Sequence, residues 1–113
     1  MLPRENRLKR DKDFQALFKK GQGAFGSVCG AKWQKNGLDK VRIAVVVGTK
    51  VSKKAVVRNR LRRQIREVIR LKLDKFKPGY DLVIIVNKHA LDKKQDELAK
   101  ETLKLLKKTP VFK

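Results

Sequence analysis

Hydrophobic residues recur along this chain with two different periods, which predict helices and strands respectively. A first helix begins at Asp11 or Asp13, where a carboxylate can accept hydrogen bonds from free N–H groups, and it ends at Gly21, where a left-handed backbone is easily adopted. A final helix spans residues 92–108, with Asp92 as its cap. The residues at helical spacing are Phe14, Leu17 and Phe18 in the first helix and Leu98, Thr102, Leu105 and Leu106 in the last.

Two nearly continuous apolar runs predict strands at Val41–Val47 and Tyr80–Val86. The first run is apolar enough to indicate a central strand. A weaker pattern predicts another strand at Ser27–Gln34, and the glycine-rich segment Gly21–Gly30 reads as a loop before it.

A long middle helix, from Ala55 to about Lys75, has one apolar and one basic side. At 100° per residue the two sets of side chains lie on opposite sides of the helix. The apolar stripe comprises Val57, Leu61, Ile65, Val68, Ile69 and then Phe76, and the opposite side carries Asn59, Arg63, Arg66 and Arg70, flanked by Arg60 and Arg62.

The order α-β-β-α-β-α, with a strand–helix–strand unit in the middle, predicts an α/β (α+β) two-layer sandwich. We expect the helices to pack on one face of a mixed sheet and to leave the other face partly open. Length and composition predict one domain over residues 1–113, whose first ten residues form an extended segment.

The net charge of the chain indicates what kind of molecule it binds. Lys+Arg 31 against Asp+Glu 11 gives a formal net charge of +20, and seven basic residues with no acidic one lie between Lys50 and Arg63. Guanidinium groups can bind phosphate through two parallel hydrogen bonds, so the composition favours a nucleic acid as partner. No apolar run reaches the length that spans a membrane. We therefore expect no membrane partner and a cytoplasmic location, which a single cysteine also suits.

Catalytic chemistry is not indicated by the sequence. One histidine, His89, and one cysteine, Cys29, cannot supply a metal cluster or a defensible nucleophile–base pair. No phosphate-binding G-x-x-x-x-G-K-[ST] loop occurs. The sequence therefore predicts neither catalytic nor metal-ligating residues. Phe14 and Phe18 could stack on unpaired bases, but their spacing alone favours packing of the first helix on the sheet.

The segment KKAVVRNRLRRQIRE, residues 53–67, resembles the characteristic motif of the bacterial ribonuclease P protein family, with an arginine–asparagine–arginine triplet in a basic helix. RLKRDKDFQALFKKG, residues 7–21, is similar to that family's opening helix, and YDLVIIV, residues 80–86, to its last strand. This resemblance spans nearly the whole chain. It implies a left-handed βαβ crossover, like that of the second domain of ribosomal protein S5.

The resemblance also implies a function. Family members join a catalytic RNA that, with Mg²⁺, removes the 5′ leader of precursor tRNA, and the protein alone is not expected to be active. Both RNAs are therefore expected partners, with no obligate protein partner. Phe14 and Phe18 match residues of a central cleft that binds the leader. The expected contacts to the catalytic RNA are Lys50, Lys53, Lys54, Arg58, Asn59, Arg60, Arg62, Arg63, Arg66 and Arg70.

One region departs from the family pattern. The first strand usually supplies bulky residues to the cleft, whereas residues 25–33 here read FGSVCGAKW, with small residues at the centre. The register of Lys32 and Trp33, and hence their place in the cleft, stays open. Two alternative functions are a non-catalytic basic RNA-binding protein, such as a small ribosomal protein, and a stand-alone nuclease.

Overall fold

The computed structural model describes residues 2–113, which form a four-stranded mixed sheet and three α-helices. The helices are α1 (Asp11–Lys20), α2 (Ala55–Leu71) and α3 (Gln95–Leu106), and the strands are β1 (Gln22–Phe25), β2 (Cys29–Lys35), β3 (Arg42–Val47) and β4 (Tyr80–Val86).

The strands lie in the order β1-β2-β4-β3. β1 pairs antiparallel with β2, β2 pairs antiparallel with β4, and β3 pairs parallel with β4. Because α2 connects the two parallel neighbours, the predicted strand–helix–strand unit and the α/β (α+β) class are confirmed. The handedness of the crossover stays a prediction from the resemblance.

The glycine-rich segment is not a loop, and the predicted order lacked a strand. Gln22–Phe25 form the edge strand β1, which makes the order α-β-β-β-α-β-α. A Cβ at Gly26 would lie 3.2 Å from the carbonyl oxygen of Cys29 and 3.3 Å from Cβ of Leu105. Glycine is therefore suited to the tight turn between β1 and β2, and local composition concealed the strand.

The two faces of the sheet are covered differently. Leu82, Ile84 and Val86 of β4 join one core cluster with the apolar residues of α2 and α3. Val83 of β4 joins a second, smaller cluster with Leu17 of α1. The expectation that all helices share one face is therefore wrong for α1, although the second face is partly open, as predicted. We call this second face the open face.

β3 is an edge strand of the sheet, not a central one. Its residues are apolar on both sides because Ile43, Val45 and Val47 face the larger core, whereas Ala44 and Val46 face α1. The N-terminal segment also covers this edge. It contains a 3-10 turn at Arg4–Asn6, pairs Arg7 with Ile43 through an isolated bridge, and donates a 3.1 Å hydrogen bond from the Leu8 N–H to the Ile43 carbonyl.

Several helix ends differ from the predictions. α2 ends at Leu71, and Phe76 is buried beyond it against Phe112. Asp92 does not cap α3, because it belongs to a 3-10 turn, Lys88–Asp92, that is capped by Asn87. Gly21 is extended, with φ −70°; glycine is required because a Cβ would collide with the Leu17 carbonyl oxygen.

Candidate nucleic-acid interface

The apolar stripe of α2 fixes the direction of its basic side. Leu61, Ile65, Val68 and Ile69 are buried, which confirms the predicted stripe over the length of the helix. Arginines between these positions must therefore point sideways or outwards. Arg60, Arg63, Arg66 and Arg70 are exposed, as is Asn59, and Arg58 and Arg62 are half-buried.

The half-buried arginines of α2 are held by uncharged groups. Nη1 of Arg58 donates to the carbonyl oxygen of Ser52 at 2.9 Å. Nη1 of Arg62 donates to that of Val47 at 3.4 Å, and its Nη2 donates to Oδ1 of Asn59. These bonds position the guanidinium groups without neutralising them. Each group keeps further N–H donors for another acceptor.

Within residues 2–113, the only salt bridge of α2 joins Arg70 to Glu67, with Nη2 and Oε1 separated by 2.6 Å. Arg70 therefore already donates to a carboxylate, unlike the other predicted contacts. This pair lowers the pKa of Glu67, through the hydrogen bond first and the positive charge second. Lys50, Lys53 and Lys54 are exposed in the connection before α2 and extend the basic surface beyond its N-terminus.

A cluster of three arginines lies where α2 meets the edge of the sheet. Burial lowers the pKa of Arg66, and the positive charges of Arg62 and Arg7 lower it further. Arg66 and Arg7 line a cavity of about 220 Å³ together with Lys9 and apolar side chains. Clustered cations of this kind favour an anionic ligand that neutralises them.

Sequence reasoning missed Arg7 and Lys9 as members of the basic surface. Both lie in the N-terminal segment, far from α2 in the sequence. Pairing of that segment with β3 brings them to Arg66. A count of basic residues could have flagged them, but only the nonlocal pairing reveals their position.

Strand register defines the floor of a cleft on the open face. Gly30 of β2 pairs with Ile85 of β4, and Ile85 pairs with Val46 of β3. Paired residues share one face of a sheet, so these three form a row across it. Phe14 of α1 is half-buried against the second core cluster, and Phe18, four residues further along α1, is 42 % exposed. We call this row, with Phe14 and Phe18 as its wall, the cleft.

Register also separates Lys32 from Trp33. Trp33 is buried in the larger core, whereas Lys32 pairs with Val83 and therefore lies on the open face. Nζ of Lys32 donates to the Phe18 carbonyl oxygen at 3.1 Å and lies 5.6 Å from the centre of the Phe18 ring. A cation–π contact of this kind steadies the ring and leaves a positive charge beside it.

A cluster of ionised side chains centred on the buried Asp81 connects α1 to the sheet. Nε and Nη2 of Arg42 donate to the two carboxylate oxygens of Asp81 at 2.8 Å and 2.7 Å, and Nη1 of Arg42 lies 3.3 Å from Oδ2 of Asp13. Asp81 is 2 % exposed and also accepts a hydrogen bond from Asn36. The hydrogen bonds that Arg42 donates to Asp81 are the main cause of the raised pKa of Arg42. Because Asp13 belongs to α1, this cluster fixes one wall of the cleft.

The single cysteine and the single histidine of the chain lie in different surroundings. Burial raises the pKa of the Cys29 thiol to about 11, which keeps it protonated and unreactive. His89 is exposed in a 3-10 turn. Over residues 2–113, no three His, Cys, Asp or Glu side chains lie close enough to hold a metal ion. None of the helices in this part of the chain is long and apolar enough to cross a membrane.

Sequence comparison relates the chain to one family. The family model described as Ribonuclease P matches residues 2–110. The chain is 40% identical to the ribonuclease P protein component of Synechococcus sp. (strain JA-2-3B'a(2-13)), over 99% of this chain and 87% of the relative. It is 37% identical to that of Clostridioides difficile (strain 630), over 92% of this chain and 91% of the relative.

Comparison with solved structures also relates the fold of this chain to RNase P proteins. The RNase P protein of Staphylococcus aureus superposes with a TM-score of 0.88 at 27% identity, covering 96% of this chain and 98% of that one. The RNase P protein from Thermotoga maritima superposes with a TM-score of 0.83 at 31% identity, covering 91% of this chain and 96% of that one.

Proposed function

This chain belongs to the ribonuclease P protein family, and on that basis we propose that it binds the catalytic RNA through α2 and the 5′ leader of precursor tRNA through the cleft. Membership makes it a subunit of an RNA-processing endoribonuclease that associates with ribonuclease P RNA. What we propose is which of the two RNAs binds to α2 and which binds to the cleft.

The main support for the proposal comes from the exposure and the ion pairing of the arginines on α2. Arg60, Arg63 and Arg66 are exposed, and within residues 2–113 none of them forms a salt bridge. Side chains of this kind stabilise a soluble protein little by themselves, whereas they suit closely spaced phosphates. The proposed contacts to the catalytic RNA are Lys50, Lys53, Lys54, Arg58, Asn59, Arg60, Arg62, Arg63, Arg66 and Arg70, with Arg7 and Lys9 added from the structure.

The cleft supports the second half of the proposal. Phe18 presents an exposed ring beside an apolar floor, and Lys32 places a positive charge next to that ring. Aromatic rings stack with any base, and a nearby cation attracts the backbone, so the combination suits a single strand without a defined sequence. A leader is single-stranded, unlike the folded body of tRNA, and we therefore assign the cleft to it.

We further propose that the RNA carries the chemistry. Carboxylate and other hard oxygen ligands are what Mg²⁺ requires, and the described residues offer no cluster of them. The protein residues do not fit a magnesium site, so we assign the Mg²⁺ of the holoenzyme to the RNA and expect the protein alone to be inactive. The proposed location of the complex is the cytoplasm.

Reconstitution tests the proposed function. Ribonuclease P RNA is assayed for cleavage of precursor tRNA at limiting Mg²⁺, with and without the purified protein. We expect the protein to accelerate cleavage at the 5′ end of the mature tRNA and to show no cleavage without the RNA. Equal rates with and without protein would favour the alternative of a ribosomal type of RNA-binding protein, and cleavage by protein alone would favour a stand-alone nuclease.

The cleft has its own prediction. Phe18→Ala removes a stacking surface, so the reconstituted enzyme is expected to bind leader-bearing substrate more weakly by about fivefold or more, since stacking contributes about 1–3 kcal/mol per base. Binding of mature tRNA, which lacks the leader, is the internal control and should not change. Equal losses for both RNAs would mean that Phe18 only supports the packing of α1.

A further inference from the structure

Phe25 exposes an unusually large apolar surface. Its side chain is 86 % exposed, which exceeds the exposure of Phe18, Leu38, Val56 and Leu71. Burial of a phenylalanine ring is normally favourable, so nothing in the packing of this chain accounts for a ring held in solvent at this position. Exposed aromatic rings on a strongly basic protein are typical of surfaces on which unpaired bases stack.

Register places Phe25 on the open face. Phe25 of β1 pairs with Gly30 of β2, and Gly30 begins the row that continues through Ile85 to Val46. Phe25 is therefore the outer end of the floor of the cleft. At about 4.8 Å between neighbouring strands, the row from β3 to β1 spans roughly 14 Å. Its apolar surface thus runs from the edge near α2 to the opposite edge of the sheet.

Gly30 leaves room for the Phe25 ring. A Cβ at Gly30 would lie 3.5 Å from Cδ1 and 3.9 Å from Cε1 of Phe25, so the ring leans over the glycine in ordinary van der Waals contact. One side of the ring thereby rests on the sheet, while most of its surface remains free. A ring supported in this way loses little freedom when a base stacks on it.

The charges around Phe25 favour a polyanion. Nζ of Lys108 donates to the Phe25 carbonyl oxygen at 3.3 Å, and Lys32 lies on the same face as Gly30, two residues further along β2. The nearby carboxylate of Glu101 accepts a 2.7 Å hydrogen bond from Ser27, which lowers its pKa together with the charges of Lys104, Lys100 and Lys93. Positive charge therefore dominates this edge of the sheet.

We propose that Phe25 is a second stacking platform for the leader, which binds an unpaired base at the β1 end of the cleft. This inference rests on the proposed function and adds a further contact between the cleft and the leader. Gly30 has no side chain of its own, and Phe25 on the neighbouring strand supplies the ring above it. A base stacked on Phe25 occupies one position along the leader, so only leaders long enough to reach that position benefit from the contact.

Leader length provides the test. The reconstituted holoenzyme is titrated with precursor tRNAs whose leaders are lengthened one nucleotide at a time, using the wild type, Phe25→Ala and Phe25→Trp. We expect wild-type affinity to rise at a definite leader length and Phe25→Ala to lose that rise, by about fivefold or more. Phe25→Trp should retain it. Leu38→Ala, an exposed apolar residue in the turn before β3, is the matched control and should behave as the wild type.

A fluorescence readout separates stacking from a structural role. Trp33 is the only native tryptophan and is buried, so the indole of Phe25→Trp dominates the solvent-exposed signal. We expect quenching by long-leader substrate and none by mature tRNA. Loss of affinity for every substrate alike, or a Phe25→Ala variant that keeps the length-dependent rise, would overturn the inference. If the inference about Phe25 fails in this way but Phe18→Ala still weakens leader binding selectively, the proposed function of the cleft is unaffected.

Discussion

At the scale of single residues, Arg42 links elements that are distant in the sequence. Its guanidinium group contacts Asp81 at the start of β4 and Asp13 in α1. Asp81 is almost completely buried, and a buried carboxylate without a cationic partner is strongly unfavourable. Arg42 therefore contributes to holding α1, and with it the wall of the cleft, over the sheet.

Arg42→Ala should lower the free energy of unfolding by about 3 kcal/mol, because Asp81 would stay buried without its guanidinium partner. Urea denaturation measures this difference. Arg70→Ala serves as the matched control, since it removes an arginine from an exposed ion pair, and its denaturation midpoint should stay close to that of the wild type. Similar midpoints for both variants would show that the burial of Asp81 does not depend on its pairing with Arg42.

Features at the scale of single residues were also the hardest to predict from the sequence. Asp81 is the one charged residue of the predicted strand Tyr80–Val86, and nothing in its local sequence indicates that it is buried. It is buried because Arg42 and Asn36 converge on it from other parts of the chain. Trp33 and Lys32 could not be assigned to faces, because one residue of register exchanges the two. Such features depend on nonlocal pairing, which local periodicity does not contain.

At the scale of elements, periodicity predicted α2 and β4 well and failed for β1. The stripe of α2 is long and regular, and β4 has the predicted bounds, Tyr80–Val86. β1 has four residues, of which one is glycine, and it is held mainly by pairing with β2. A strand of this kind has no periodic signal of its own, so the open end of the cleft that it carries could not be predicted either.

Arg66 on α2 is expected to affect both the stability of the free protein and its affinity for RNA. Its pKa is lowered, so the folded state disfavours the charged guanidinium relative to the unfolded chain. Because that group remains protonated at neutral pH, its charge destabilises the free protein. Arg66→Gln should therefore raise the thermal unfolding midpoint while weakening affinity for ribonuclease P RNA.

Thermal melts of Arg66→Gln test the expected rise in its unfolding midpoint, and RNA titrations of the same variant test the expected loss of affinity. Lys75→Ala, which removes an exposed charge beyond the far end of α2, is the control and should change neither quantity appreciably. A lower midpoint for Arg66→Gln would mean that the arginine supports the fold and that its neighbours do not oppose it.

At the scale of the whole molecule, the net charge of +20 shapes both stability and association. Repulsion among like charges destabilises the free protein, and a bound polyanion relieves it. Salt screens both interactions, with a Debye length of about 10 Å at 0.1 M. Added salt should thus stabilise the free protein and weaken the complex.

We expect the unfolding midpoint of the free protein to rise with NaCl and that of its complex with ribonuclease P RNA to fall. Fluorescence of the buried Trp33 can follow unfolding in both samples. Sodium chloride is preferred to sulfate, because sulfate also strengthens the burial of apolar surface. A midpoint of the free protein that stays constant or falls with NaCl would indicate that charge repulsion is not a significant part of the stability of this fold.

The most direct measurement is the salt dependence of binding to ribonuclease P RNA, compared between the wild type and an Arg60→Ala/Arg63→Ala double variant. Each phosphate contact that is lost should reduce the slope of log K against log salt by about one, so we expect the double variant to show weaker binding and a slope smaller by about two. Lys75→Ala should match the wild type in slope. Parallel lines for the wild type and the double variant would contradict a role of the exposed α2 arginines in holding the RNA.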